Sequence, residues 1–254
     1  MAKEPVTHSD IVEAMKDPAF YDHPVDTPVD HLQTHISSVF LTGEKAYKLK
    51  KPVDFGFLDF STLERRKHFC EEEVRLNQRL APNVYLGVRP VTREDDNSLH
   101  LDGAGDAVDW LVEMRQLDGD RLGTELLARG ELAADHIDAV AEQLVPFYRE
   151  AATGPGVDEL GTTEAVKVNT DENFAQTEEF VGKALSRDLF DNVRIFTDTF
   201  LADRASLFEQ RIREGRIREA HGDLHLGNIF FLDRPVIFDC IEFNQRFRCG
   251  DVAV

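Results

Sequence analysis

Cysteine is scarce in this chain, and the three present, Cys70, Cys240 and Cys249, form no Cys-x-x-Cys pair. An odd, widely spaced set supplies neither a disulfide framework nor a zinc knuckle, so reduced thiols are expected. Long apolar runs are missing too, which excludes a membrane-spanning helix as an expectation. The polar opening Met1-Ala2-Lys3-Glu4-Pro5 has none of the features of a secretory signal. Positive charge is in deficit, with 29 Lys and Arg against 48 Asp and Glu and a formal net charge of −19. Repulsion then disfavours nucleic acid and anionic membranes as partners. A cationic substrate would be attracted, but such acidity also suits a salt-rich cytoplasm, where screening makes it harmless, so charge does not identify the substrate. A cytoplasmic protein is the expectation, and nothing in the chain specifies an oligomeric state. Repeats, low-complexity tracts and a Gly-x-x-x-x-Gly-Lys-Ser/Thr phosphate loop are all absent.

What is there concentrates in one stretch, Arg218 to Phe231, followed by Val236 to Phe243. Ile229-Phe230-Phe231-Leu232 and Val236-Ile237-Phe238 are short β-prone runs, and Asp233-Arg234-Pro235 between them carries turn residues, so the pair predicts a β-hairpin. The hairpin gathers Asp223, Asn228 and Asp239 at its entry and exit. Two carboxylates and an amide are hard oxygen donors of the kind Mg²⁺ takes, with phosphate and water completing its shell. One carboxylate is then left for acid/base work. The alternation of His221, Asp223 and His225 admits a rival reading as Zn²⁺ ligands on a strand, but Gly222 and Asn228 favour a loop.

Upstream, residues 1–30 read as an extension with a short capped helix near Thr7 to Met15, broken by Pro24 and Pro28. Strands are expected over 31–36, 39–42 and 46–51, a helix from Arg65 to Leu80 behind a Ser61-Thr62 cap, and two more strands over 85–91 and 107–112 around a hydrophilic loop. After Asp118 the pattern is helical, over 122–127, 133–148, 171–185 and 189–213. A length of 254 residues suffices for one large core or two lobes.

His221-Gly222-Asp223 with Asn228 five residues after the Asp, then an apolar strand ending at Asp239, resembles the catalytic loop and metal strand of the aminoglycoside phosphotransferase family, relatives of the protein kinases. The resemblance implies a two-lobed α+β kinase-like fold, with an N-lobe over 31–117 and a helical C-lobe over 118–254. It also implies ATP and Mg²⁺ as cofactors and the hydroxyl of a small molecule as phosphate acceptor. Asp223 would be the catalytic base, and Asn228 and Asp239 the metal ligands. Ala46-x-Lys48 matches the motif whose Lys meets the α/β-phosphates, Lys50 being the reserve, and Glu73 would pair with that Lys. Ser37 and Ser38 would meet phosphate where kinases use a glycine-rich loop, which this chain lacks. Backbone groups of Glu113, Met114 and Arg115 would take the adenine edge.

Asp239-Cys240-Ile241-Glu242 departs from the kinase Asp-Phe-Gly, a variation common in small-molecule phosphotransferases. Family members continue with further helices, so the resemblance implies a chain truncated at Val254. Those with the Lys50 to Phe60 stretch often carry a C-terminal P-loop domain. A nucleotide-binding regulatory module without transfer activity is the alternative, favoured by the missing glycine loop and the altered metal motif.

Overall fold

Strand-forming sequence between Asp30 and Arg115 builds one six-stranded antiparallel sheet in the computed structural model, which describes residues 5–253. The polar opening before Pro5 and the chain end at Val254 lie outside the described residues. In chain order the sheet comprises β1 (Asp30–Gln33), β2 (Ser37–Leu41), β3 (Lys45–Lys50), β4 (Tyr85–Arg93), β5 (Leu99–Leu101) and β6 (Asp106–Arg115). Their spatial order is β1-β2-β3-β6-β4-β5. The stretch expected to be a hydrophilic loop thus contains β5, whose Leu101 is buried against the sheet.

Alternation along β2 and β3 gives the sheet two different faces. Val39 lies opposite Lys48 and Leu41 opposite Ala46, while Phe40 lies opposite Tyr47 and Ser38 opposite Leu49. The Phe40 face is covered by the N-terminal segment. Helix α1 (His8–Ala14) begins with a capping box in which Thr7 and Asp10 exchange hydrogen bonds, so orphan amides are satisfied at once. It delivers Ile11 and Met15, with Phe20 and Tyr21 following, onto Phe40, Tyr47, Leu49, Val91 and Leu111. Ile11 to Tyr21 of the expected extension thus contribute to the sheet's core.

Helix α2 (Leu63–Asn77), capped by the Thr62 hydroxyl on the Arg65 amide, packs on the opposite face. Cys70 joins Ala46, Tyr85, Val112 and Met114 there in a second cluster. Arg66 on this helix donates to both Asp109 carboxylate oxygens, at 2.8 and 3.0 Å, and to the Phe60 carbonyl, which satisfies a buried cation.

The helical part contains α3 (Gly123–Ala128), α4 (Ala134–Glu150), α5 (Pro155–Asp158), α6 (Thr163–Thr177), α7 (Arg187–Asp203) and α8 (Ala205–Arg213). Helix α6 starts eight residues before its expected position because Thr162 caps it through the Ala165 amide. The long helix expected over 189–213 divides at Arg204, which leaves the helical region at φ −109° and ψ 13°. Strand β7 (Ile217–Glu219) follows, then the hairpin β8 (Ile229–Phe231) and β9 (Pro235–Ile237), then α9 (Gln245–Arg248) and β10 (Cys249–Asp251), which pairs with β7.

Internal contacts divide the chain into two units, one of residues up to Gln143 with Asp223–Asn244, the other of Leu144–Gly222 with Gln245–Val254. The hairpin therefore groups with the sheet, and the division between the two units falls within α4. The fold is α+β. Among the described residues, no helix is long and apolar enough to cross a membrane.

Candidate functional site

Asp223 to Phe243 and the inner face of the sheet belong to the same unit, and together they line a cavity of about 720 Å³. The hairpin forms as expected, with Ile229 opposite Ile237 and Phe231 opposite Pro235, so that Pro235 starts the second strand instead of closing the turn. The Phe238 amide donates to the Asn228 carbonyl at 3.0 Å, which brings the loop residue and the strand end side by side. Gly123 at the start of α3 permits this packing. A Cβ there would come within 2.8 Å of the Leu226 carbonyl oxygen.

Lys48 is the hub. Its ammonium donates to Glu73 Oε1 at 2.8 Å and to Asp239 Oδ1 at 2.6 Å. Burial alone would lower its pKa, but Asp239 and Glu73 outweigh that and hold it well above the ordinary lysine value. Glu73 is fully enclosed, and although burial raises it, Lys48 and Lys50 keep its carboxyl below the usual range. Its second oxygen, Oε2, accepts from Lys50 Nζ at 2.6 Å, and Lys50 in turn donates to Glu242. Lys50 is pushed up because Glu242 and Glu73 offset its burial, whereas burial prevails at Glu242 and raises that carboxyl.

Asp239 has φ +61°, an unusual left-handed conformation for a residue with a side chain. Two side chains hold the backbone there. The Tyr85 hydroxyl accepts from the Asp239 amide at 3.1 Å, and Asn77 Oδ1 accepts from the Cys240 amide at 2.8 Å. Asn77 also donates to the Glu73 carbonyl one turn back, so the residues that meet Asp239 and Cys240 come from the same helix and the adjoining strand. Burial pushes the Tyr85 phenol well above its ordinary pKa and keeps it protonated.

Asp223 is exposed and faces the cavity. The Asn228 amide nitrogen donates to the Asp223 carbonyl at 2.9 Å and to its carboxylate at 3.2 Å, so the amide oxygen, an acceptor, is the atom with lone pairs to offer a cation. His225 completes the group. Its Nδ1 accepts from the Gly227 amide at 3.0 Å, so the ring proton sits on Nε2, which faces Asp223 Oδ2 at 3.5 Å. Among the described residues, no group of three or more His, Cys, Asp or Glu is arranged to hold a metal ion, which counts against the Zn²⁺ rival. Gly222, immediately before the loop, takes φ +88°, and a Cβ on it would meet the Phe247 carbonyl oxygen at 2.8 Å.

Of the site residues expected from sequence, Lys48, Ser37, Met114, Arg115, Asp223 and Asp239 line the cavity. Glu73 and Asn228 lie just behind, as partners of Lys48 and Asp223. One expectation needs correction. Ser37 and Ser38 open β2 instead of forming the turn before it, and strand alternation sends Ser38 to the Phe40 face, away from the cavity. The Glu113 side chain lies opposite Tyr47 on that same outer face, where its carboxylate accepts from Lys45 at 2.7 Å and from Tyr47 at 3.1 Å, whereas the expectation for this residue concerns its backbone.

The backbone at the end of β6 is also partly committed. The Arg115 amide donates to the Val84 carbonyl and the Gln116 amide to the Glu44 carbonyl. Beyond Met114 the wall continues through Gln116 and Leu117. The rest is largely apolar, with Val39, Leu41, Ala46, Val84, Phe230 and Phe238. Sequence reasoning missed Asn77, Tyr85 and His225 as support for the site. Asn77 had a signal, since it lies four residues after Glu73 on one helix face.

No family model matches the chain. Uncharacterized protein Rv2004c of Mycobacterium tuberculosis is 34% identical to it over 232 residues, which covers 90% of this chain and 45% of that protein. Uncharacterized protein Mb2027c of Mycobacterium bovis is similar to the same extent, 34% over 232 residues with the same coverage. The chain spans about half the length of the curated relatives it matches.

Proposed function

We propose that this chain carries an ATP- and Mg²⁺-dependent phosphotransferase site that transfers the γ-phosphate to a hydroxyl of a small molecule, in the manner of the aminoglycoside phosphotransferases it resembles. The observation that carries the reading is Lys48, whose one ammonium meets both Glu73 and Asp239 at the wall of a cavity that Asp223 also lines. A lysine fixed between a helix carboxylate and a strand-end carboxylate is an oriented point charge for phosphate oxygens. The donor set fits a hard cation: Asp239 supplies a carboxylate and Asn228 an amide oxygen, while triphosphate and water supply the rest of the shell. Bound there, Mg²⁺·ATP supplies the reactive phosphoryl group.

Within such a site the residues of this chain have separable tasks. The apolar walls of the cavity exclude water and accept a flat base by contact. Ala46, small and on the same strand face as Lys48, leaves room above the sheet. Asp223 accepts the proton of the acceptor hydroxyl at its carboxylate, and Asn228 and His225 hold that carboxylate in place. The net charge of −19 gives no warrant for an antibiotic as substrate, since acidity is spread through the whole chain.

Titration calorimetry with ATP, in Mg²⁺ and again in EDTA, is the test, followed by ADP release over a panel of small alcohols, using the full-length protein. Binding should require Mg²⁺, and Asp223→Asn should retain it while turnover falls about 10²-fold or more. Absence of Mg²⁺-dependent binding sinks the reading. Binding with no ADP release on any acceptor favours the regulatory module instead.

A further inference from the structure

The Lys48–Glu73 pair accounts for only part of the buried charge. Asp239, Lys48, Glu73, Lys50 and Glu242 form one alternating chain of contacts, three carboxylates interleaved with two ammonium groups. Its two ends, Asp239 and Glu242, lie three residues apart in the irregular stretch after β9, so the chain closes on itself through the backbone. Lys50 and Glu242 are almost wholly enclosed, at 1% and 4% side-chain exposure, whereas Asp239 at the other end is 43% exposed. The Phe60 ring lies 4.8 Å from the Lys50 ammonium and covers it.

Such an arrangement is expensive to bury, and contact with a ligand does not explain its inner part, because neither Lys50 nor Glu73 lines the cavity, although Lys48, Asp239 and Glu242 do. Its effect is geometric. With Oε2 of Glu73 tied to Lys50, the carboxylate cannot rotate away from Lys48. With Glu242 tied to Lys50, the stretch that carries Asp239 is anchored to β3 at its far end, while Tyr85 and Asn77 hold its near end.

We infer that Lys50 and Glu242 are positioning residues, a buried pair that locks Glu73 and the Asp239 stretch and thereby fixes the Lys48 ammonium and the Asp239 carboxylate at the cavity wall. The inference rests on the phosphotransfer reading for its consequence in ligand binding, but the locking itself is a property of the protein alone. Groups that orient the ligands of a cation commonly alter its affinity about 10- to 100-fold when removed.

The test compares the native full-length protein with Lys50→Met and with the double variant Lys50→Met/Glu242→Met. The single change strands the buried Glu242 carboxylate and one oxygen of Glu73 and invites unfolding, whereas the double change removes the first of these and leaves only Glu73 Oε2 without its partner. Two readouts are taken: hydrogen exchange of the Asp239 and Cys240 amides, and the affinity for Mg²⁺·ATP. In a cooperatively folded double variant, exchange at those two amides should accelerate about tenfold or more relative to β2 and β6. Affinity should fall about tenfold. Unchanged exchange and affinity in the folded double variant overturn the inference. So does loss of folding in both variants, which makes the pair a general support of the fold. If the native protein binds no Mg²⁺·ATP, the phosphotransfer reading fails by itself, and the exchange measurement still decides the locking.

Discussion

The two faces of the six-stranded sheet are built from the same strands by the same alternation, yet they solve different problems. On one, Phe40, Tyr47, Leu49 and Leu111 are sealed beneath Ile11, Met15 and Phe20, a surface that is stable because it excludes water. On the other, Lys48 and Lys50 rise between Val39, Ala46 and Val112, and their charge is matched by carboxylates from α2 and from the stretch that follows β9. The apolar face holds the sheet together. The charged face uses that rigidity to keep ions where they are costly to bury, which is the arrangement expected when a strand supplies a functional side chain.

Breaking this comparison starts with the apolar face. Phe40→Ala removes a fully enclosed ring stacked 4.4 Å from His31, and urea unfolding should report a loss of about 3–5 kcal/mol. Because Phe40 points away from the cavity, ligand affinity in the protein that remains folded should be unchanged. A loss of affinity without a loss of stability would mean that the faces are not independent.

On the charged face, Glu73→Gln should cost about 3 kcal/mol near neutral pH, since only one oxygen is left to accept, the new amide nitrogen faces the second ammonium, and two buried lysines lose a shared negative charge. The pH dependence sharpens the contrast. Lys48 and Lys50 depress the Glu73 carboxyl below its ordinary 4.5 despite burial, so its contribution is complete above pH 4.5 and is lost as pH falls through the lower folded value. Unfolding titrations should therefore show native protein and variant converging below pH 4.5, while Phe40→Ala keeps its deficit across the same range. The smallest effect is at the cap of α2. Thr62→Ala should lower stability by about 1 kcal/mol, with Mg²⁺-dependent binding retained, because Glu73 is anchored by two lysines independently of the helix start.

Much of this architecture could be read from the residues. β-Branched and aromatic runs broken by Gly43 and Pro52 marked β2 and β3, and Thr62 marked the start of α2. The hairpin after Asn228 followed from two apolar runs around Asp233 and Arg234. Other features were hidden for identifiable reasons. Ser37 and Ser38 look like turn residues by type, but β1 and β3 pair on either side of them and draw them into a strand. The N-terminal segment has no pattern that says what it covers, since a short amphipathic helix is compatible with many apolar partners. The helix break at Arg204 has no Gly or Pro to announce it.

By itself, the sequence determined which residues could share a face: Lys48 and Lys50 on one strand side, Glu73 and Asn77 one helical turn apart, and Asp239 three residues before Glu242. Those relations are set by the local periods of strand and helix and need no tertiary context. Only the tertiary structure decided which carboxylate met which ammonium, because Lys50 and Glu242 are 192 positions apart and nothing local encodes their encounter. It also decided that Glu113 faces outward and that Tyr85 holds Asp239 at φ +61°. The physical reason is the same in each case: a buried charge or a strained backbone survives only where distant parts of the chain meet to satisfy it.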